Sequence, residues 1–155
     1  MLSNACQYAI RSIFYLGLCS NENHKIGVKT ISEELEVPQP FLAKLLQKLH
    51  KNHLVTSTKG PYGGFYLSDA NKEKSVWDIV LVIDGQEKFS QCFLGLSKCG
   101  DENPCPVHFT VVAFKQKLFK DFKDKTISEF VKEIKEKGRF ISLKDFNILE
   151  NPETK

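Results

Sequence analysis

The stretch "TISEELEVPQPFLAKLLQKLHKNHL", residues 30–54, restricts the possible folds more than any other part of the chain. Two prolines, Pro38 and Pro40, separate two apolar periodicities: Ile31 and Leu35 before them, and Phe41, Leu42, Leu45, Leu46 and Leu49 after them. A proline breaks a helix interior but costs little in a first turn, so Pro38 ends one short helix and Pro40 opens another. Thr30 and Glu33 have the spacing of a capping box and predict where the first of these helices starts. The second helix is apolar behind and basic in front, with Gln39, Ala43, Lys44, Gln47, Lys48 and Lys51 left for its outer face. Two short helices joined this tightly make a helix-turn-helix, whose second helix enters the DNA major groove.

The next segment extends that reading. "LVTSTKGPYGGFYLS" reads as strand, turn and strand, with Gly60, Pro61, Gly63 and Gly64 in the turn, Val55 on one side and Phe65 and Leu67 on the other. This is a wing. No acid occurs from Val37 to Ser68, while Lys44, Lys48, Lys51 and Lys59 all fall there, in a chain whose formal charge is only +3. A one-signed stretch of this kind suits a phosphate-facing surface; its competitor is an ordinary solvated lysine face. Base readout falls to Gln39, Lys44, Gln47 and Lys48, because glutamine pairs bidentately with adenine and lysine reaches guanine. The candidate DNA-facing set is therefore Gln39, Pro40, Lys44, Gln47, Lys48 and Lys51 on the helix, with Lys59, Gly60, Pro61 and Tyr62 on the wing.

The flanking segments supply a core and a second helical unit. Asn4 to Ser20 reads as an amphipathic helix with Ala5, Ala9, Ile13 and Leu16 on one face, and Cys6 and Cys19 as small core residues. "SVWDIVLVIDG" reads as a helix ending at Gly85, with Trp77 buried against the first helix. Val107, Val111, Phe114, Leu118 and Phe122 recur at helical spacing, bordered by Val112 and Phe119. So much apolar surface on one long helix needs a partner, and readers of two-fold operators are symmetric dimers, which predicts a homodimer. "TISE" at 126–129 is a second capping box, opening a helix to about Lys137; the tail beyond Gly138 reads as polar and its end, "ENPETK", as disordered. The predicted architecture is mainly α with a small β wing. Residues 1–84 form a winged helix-turn-helix domain, 85–107 a cysteine-rich loop, 108–140 the dimerisation and C-terminal helices, and 141–155 a tail.

Three of the five cysteines and one of the four histidines crowd into "CFLGLSKCGDENPCPVH", with the spacing Cys92-x6-Cys99-x5-Cys105-x2-His108. The opening residues carry polar groups and Arg11 through their apolar positions, unlike a secretory leader, and no apolar run reaches the length of a membrane span. A cytoplasmic protein with no membrane partner is expected. In a reducing compartment an odd number of cysteines leaves metal binding, thiol redox chemistry or burial, and clustering favours metal. Three thiolates and an imidazole suit tetrahedral zinc or an iron–sulfur cluster, and paired loop thiols suit a redox switch. The spread of these thiols along a Gly/Pro/Asn-containing loop leans toward a core larger than one ion. His24, His50 and His53 read as surface or phosphate-side groups. Enzyme signatures are missing: there is no Gly-rich phosphate loop after a strand, no Ser/His/Asp set in context, and no C-x-x-C beside a βαβ pattern.

Together, "YAIRSIFYL", "ISEELEVPQPFLAKLLQKL", "KGPYGGFYL", "VIDG" and "CFLG…C…PCPVH" resemble the Rrf (Rrf-two) family of bacterial winged-helix regulators, over about residues 1 to 135. The resemblance implies a homodimeric repressor or activator of a double-stranded DNA operator, whose loop cysteines ligate a [2Fe-2S] or [4Fe-4S] cluster. Cys92, Cys99 and Cys105 match the family's cluster thiolates, and His108 matches the histidine that some members use as fourth ligand. Other members take an acidic residue from the first helix of the second subunit; Gln7 stands there in this chain, which counts against an acidic ligand and leaves Cys6 as an alternative. Lys59 stands where the family often has an arginine entering the minor groove, and Tyr62 replaces a residue that is small in many members. Cluster state is then expected to control operator affinity, with redox change, nitric oxide or iron–sulfur supply as the signal. The alternatives are a zinc-binding or cluster-free thiol regulator, and a cluster- or partner-binding protein that has lost DNA binding.

Overall fold

The computed structural model describes residues 1–142. In chain order the elements are α1 (Asn4–Cys19), α2 (Val28–Leu35), α3 (Gln39–Lys51), β1 (Thr56–Thr58), β2 (Gly64–Tyr66), α4 (Asp69–Lys72), α5 (Val76–Ile83), α6 (Gly85–Ser90), α7 (His108–Asp124) and α8 (Ile127–Lys137). The fold is mainly α with a small antiparallel wing, in which Thr56 faces Tyr66 and Thr58 faces Gly64.

Helix α1 is the centre of the packing. Ser3 caps it by accepting the Cys6 N–H at 3.0 Å, and its buried edge runs Cys6, Ala9, Ile13, Leu16. Cys6 thus takes the inward place expected of Ala5, which is only half-buried. Cys19 is exposed rather than core, because the chain leaves the helix with Ser20 turned inward: its hydroxyl donates to Leu16 O at 2.6 Å and accepts the Leu67 N–H at 3.2 Å. Ile13, Leu16, Ile31, Leu42, Leu46, Leu49, Leu67, Ile79 and Ile127 bring α1, α2, α3, α5 and α8 into one apolar cluster. At Gly17 a side chain of α8 leaves no room for a larger residue: a Cβ there would lie 2.5 Å from Val131 Cγ2.

Helix α2 starts two residues before the expected capping box, with Gly27 as N-cap, so Thr30 already lies inside the helix. The reason is long-range. Ile26 pairs with Phe65 through N–H···O bonds of 2.9 and 2.8 Å, and this bridge delivers the chain to the helix at Gly27. The same bridge demands glycine at position 64, where φ is +149° and a Cβ would meet Ile26 O at 2.9 Å. Arg11 closes the other end of α2 by donating to Leu35 O at 2.7 Å. Helix α3 carries Pro40 in its first turn and buries Leu42, Leu45, Leu46 and Leu49. Phe41 departs from the expected inward set; it is 40% exposed and meets Tyr8 edge-on at 5.8 Å.

Two short helices escape the sequence pattern. Helix α4 follows a reciprocal cap between Ser68 and Asn71, and α6 begins at Gly85 directly after α5, which ends at Ile83, two residues before the expected Gly85, with Asp84 as its cap. The Asp84 carboxylate accepts the Ser3 N–H at 2.8 Å and the Ser3 hydroxyl, clasping the start of α1. Trp77 is buried with Cys6, as expected of a contact to α1, but its ring lies chiefly between Phe89 of α6 at 5.0 Å and Phe119 of α7 at 4.6 Å, both edge-on. Within the described residues no side chain of α7 is fully buried: Leu118, Phe119 and Phe122 lean on this second cluster, while Phe109 and Phe114 are 63% and 54% exposed. Thr126 and Glu129 form the expected capping box of α8. Beyond Gly138 the chain returns to α1, where Ile141 O accepts from Arg11 Nε at 2.6 Å and Ile141 packs on the core. The expected disordered end lies outside the described residues.

Candidate metal centre and nucleic-acid interface

The cysteine loop is anchored at both ends. Phe89 seats α6 on Trp77, Lys115 of α7 donates to Gln91 O at 2.5 Å, and His108 opens α7 with its N–H on Cys105 O at 3.0 Å. Between these anchors the backbone folds on itself: Gly95 N–H to Cys92 O at 3.0 Å, Cys99 N–H to Leu96 O at 3.2 Å, and a reciprocal pair between Gly100 and Asn103 at 3.3 and 3.1 Å. The sulfurs of Cys92, Cys99 and Cys105 end within 4.8 Å of one another, with Cys92 and Cys105 at 3.8 Å. His108 joins through Cys99, its Nδ1 lying 3.2 Å from that sulfur, while its Nε2 lies 2.9 Å from Asp101 Oδ1.

The thiols differ in acidity. Cys92 is lowered to about 7, chiefly by the Leu96 backbone N–H and further by that of Leu94, against the opposing effect of burial. Cys99 is raised: the Cys105 N–H favours its thiolate, but lost hydration and the neighbouring Cys105 and Cys92 sulfurs together outweigh it. A cavity of about 60 Å³ lies among Cys92, Cys99, Cys105, His108 and Lys115, and a second of about 420 Å³ shares Cys92 and Cys99 and is walled by Gly95 and Leu96. Three sulfurs and an imidazole form a donor set for zinc or an iron–sulfur cluster. The 3.8 Å between Cys92 and Cys105 is the separation of two thiolates on one tetrahedral ion, for which bonds of roughly 2.3 Å put sulfurs about 3.8 Å apart.

Cys6 does not join them. It is fully buried beside Trp77, and burial, followed by the Asp84 charge, pushes its thiol up to about 12. Gln7 is exposed, its amide donating to Leu2 O at 3.3 Å.

The DNA-facing candidates are all on the surface. Gln39, Pro40, Lys44, Gln47, Lys48 and Lys51 are exposed on α3, and Lys59, Gly60, Pro61 and Tyr62 at the wing tip, with Tyr62 92% exposed. Pro40, Lys44, Gln47, Lys48 and Lys51 follow i, i+4, i+7, i+8, i+11, which places them along one helix face. A residue that carries no sequence signal ties the wing to the end of the helix. Buried Asn71 accepts the Thr56 hydroxyl at 2.7 Å and the Ser68 N–H at 2.9 Å, and donates to His53 O at 2.8 Å, just past α3.

The family profile described as "Rrf2: Iron-dependent Transcriptional regulator" matches residues 2–133. The chain belongs to the Rrf2 family. It is 34% identical over 142 residues to a protein of Aquifex aeolicus (strain VF5) named as an HTH-type transcriptional regulator, spanning 90% of this chain and 96% of that one. It is 27% identical over 133 residues to the HTH-type transcriptional regulator IscR of Pectobacterium carotovorum subsp. carotovorum (strain PC1), spanning 86% and 74%. Among solved structures, T. potens IscR is similar with a TM-score of 0.67 at 21% identity, covering 90% of this chain and 92% of that one. CymR (YrzC), the global cysteine regulator of B. subtilis, gives 0.66 at 19% identity, covering 85% and 96%. At these identities the structural likeness is one of fold. The Rrf2 family and the named relatives are transcriptional regulators, not enzymes, and the chain is accordingly a DNA-binding transcriptional regulator. Among the described residues, no helix of this Rrf2 protein is long and apolar enough to cross a membrane.

Proposed function

We propose that this Rrf2 protein is a cytoplasmic homodimer that binds a double-stranded DNA operator with an affinity set by an iron–sulfur cluster, [2Fe-2S] or [4Fe-4S], on Cys92, Cys99, Cys105 and His108. The observation that carries the reading is the convergence of three thiols, with an imidazole against one of them, in a chain of a family described as iron-dependent. When bound, such a cluster supplies a redox-active group sensitive to oxygen and nitric oxide. The residues around the loop provide the transmission. Its two ends lead into α6 and α7, which grip Trp77 from two sides, and Asp84 clasps the segment before α6 to the start of α1. A change in the path of the loop therefore reaches the helix on which the winged domain is built. Operator affinity responds only as far as the two loop states favour different poses of that domain. The exposed Phe109 and Phe114 of α7 support a second copy as partner.

Protein purified without oxygen is expected to hold iron and acid-labile sulfide in matching amounts, and to differ from its cluster-free form in operator affinity at fixed salt. Equal affinity of the two forms would remove the switch. A second reading, one structural zinc ion, is favoured by the 3.8 Å sulfur separation and is selected if zinc is found instead.

On the DNA side, Lys44→Glu and Lys59→Glu are each expected to weaken operator binding by about tenfold or more and to flatten its salt dependence by about one unit of slope per lost phosphate contact. Fluorescence anisotropy across a salt series checks both. Unchanged binding in both variants would mean that this face does not meet DNA.

A further inference from the structure

We infer that Asp101 is a positioning residue for the metal centre, holding the His108 ring by Nε2 and so aiming Nδ1 at the Cys99 sulfur. The role rests on Cys92, Cys99, Cys105 and His108 being ligands, as proposed above. His108 stands at the start of α7 with its side chain 11% exposed, and its two ring nitrogens meet different partners: Cys99 Sγ at 3.2 Å and Asp101 Oδ1 at 2.9 Å. A neutral imidazole has one N–H and one lone pair, and only the lone pair can ligate a metal. An ionised carboxylate accepts and never donates, so Asp101 keeps the proton on Nε2 and leaves the Nδ1 lone pair facing Cys99 Sγ. The backbone pairing of Gly100 with Asn103 closes the turn that carries Asp101, so the carboxylate is placed by the same fold that gathers the cysteines. Removing such an outer partner of a metal-bound histidine characteristically weakens metal binding by about ten- to a hundredfold. The geometry also assigns the ligating nitrogen as Nδ1.

The test uses the full-length, metal-free protein titrated anaerobically with Co(II), whose thiolate charge-transfer and d–d bands report the donor set. Asp101→Ala is expected to lower Co(II) affinity about tenfold or more, and Asp101→Asn, which keeps an accepting oxygen, to restore most of it. In a His108→Ala background, Asp101→Ala is expected to change nothing, an outcome that general damage to the loop does not produce. Nitrogen-detected spectra of the metal-free protein are expected to show His108 as the Nε2–H tautomer, and a tautomer mixture in Asp101→Ala. Wild-type affinity in Asp101→Ala, the same loss with or without His108, or an unchanged tautomer would each overturn the role. Iron and sulfide measured on the same wild-type preparation test the cluster separately. Their absence alongside intact Asp101–His108 coupling toward Co(II) would sink the cluster reading and leave this role standing.

Discussion

Replacing Cys99 with alanine is expected to weaken metal binding by about a hundredfold and leave operator affinity indifferent to anaerobic cluster reconstitution. Cys99 is the member of the group that joins the thiols to His108: its sulfur accepts the Cys105 N–H at 3.4 Å, meets His108 Nδ1 at 3.2 Å, and lies within 4.8 Å of both other thiols. Alanine removes one of four donors and also the contact that draws His108 into the group. If a four-donor site binds with about 12 kcal/mol, one donor accounts for roughly a quarter of that, about 3 kcal/mol or two powers of ten. Cys99→Ser is expected to fare no better, because a neutral hydroxyl replaces a thiolate. Cys6→Ala should keep its metal, since Cys6 is buried in the Trp77 cluster. Elemental analysis and operator titration, run on the three variants together, check the set; full metal content in Cys99→Ala would remove Cys99 from the centre.

The second large effect concerns the fold that presents the DNA-facing surface. Asn71→Ala is expected to cost about 3 kcal/mol of stability. The amide is 4% exposed and all of its side-chain hydrogen-bonding atoms are engaged, with Thr56 on β1, Ser68 before α4 and His53 after α3. Alanine would strand a hydroxyl, an N–H and a carbonyl in partly buried surroundings, at about 1 kcal/mol or more each. One of the three is also the hold on strained backbone, because His53 adopts φ +59°, a conformation that L side chains rarely take. Ser68→Ala, which loses the cap but leaves the amide in place, is expected to cost only about 1 kcal/mol. Urea unfolding of the two variants separates these values. A loss below about 1 kcal/mol in Asn71→Ala would mean that helix and wing are fixed by apolar packing alone.

What could be read from the sequence was what local chemistry decides. The proline pair placed the break between α2 and α3, the leucine periodicity chose the buried face of α3, and the glycines from Gly60 to Gly64 marked the wing. The order of cysteines and histidine was legible as a donor set, because spacing within one loop needs no tertiary information. The misses come from contacts distant in sequence. Thr30 and Glu33 had the right letters for a cap, but the pairing of Ile26 with Phe65 started the helix earlier. Phe41 continued an apolar repeat whose face had already turned toward Tyr8 and the surface. Asp101 gave no signal, since an acid in a polar turn is ordinary until the fold lays His108 across it. Asn71 was hidden in the same way: beyond its local cap with Ser68, its partners Thr56 and His53 lie 15 and 18 residues away, beyond any single helix or strand period.

The placement of Trp77 carries one more consequence. It is the chain's only tryptophan, and its indole is held edge-on by one ring from the helix leading into the cysteine loop and another from the helix leading out. Tryptophan emission depends on how tightly its surroundings are packed and how far water is kept away. The protein therefore contains an intrinsic optical gauge of its own loop: any rearrangement that shifts Phe89 against Phe119 alters the light this residue emits, in every copy, without an added dye.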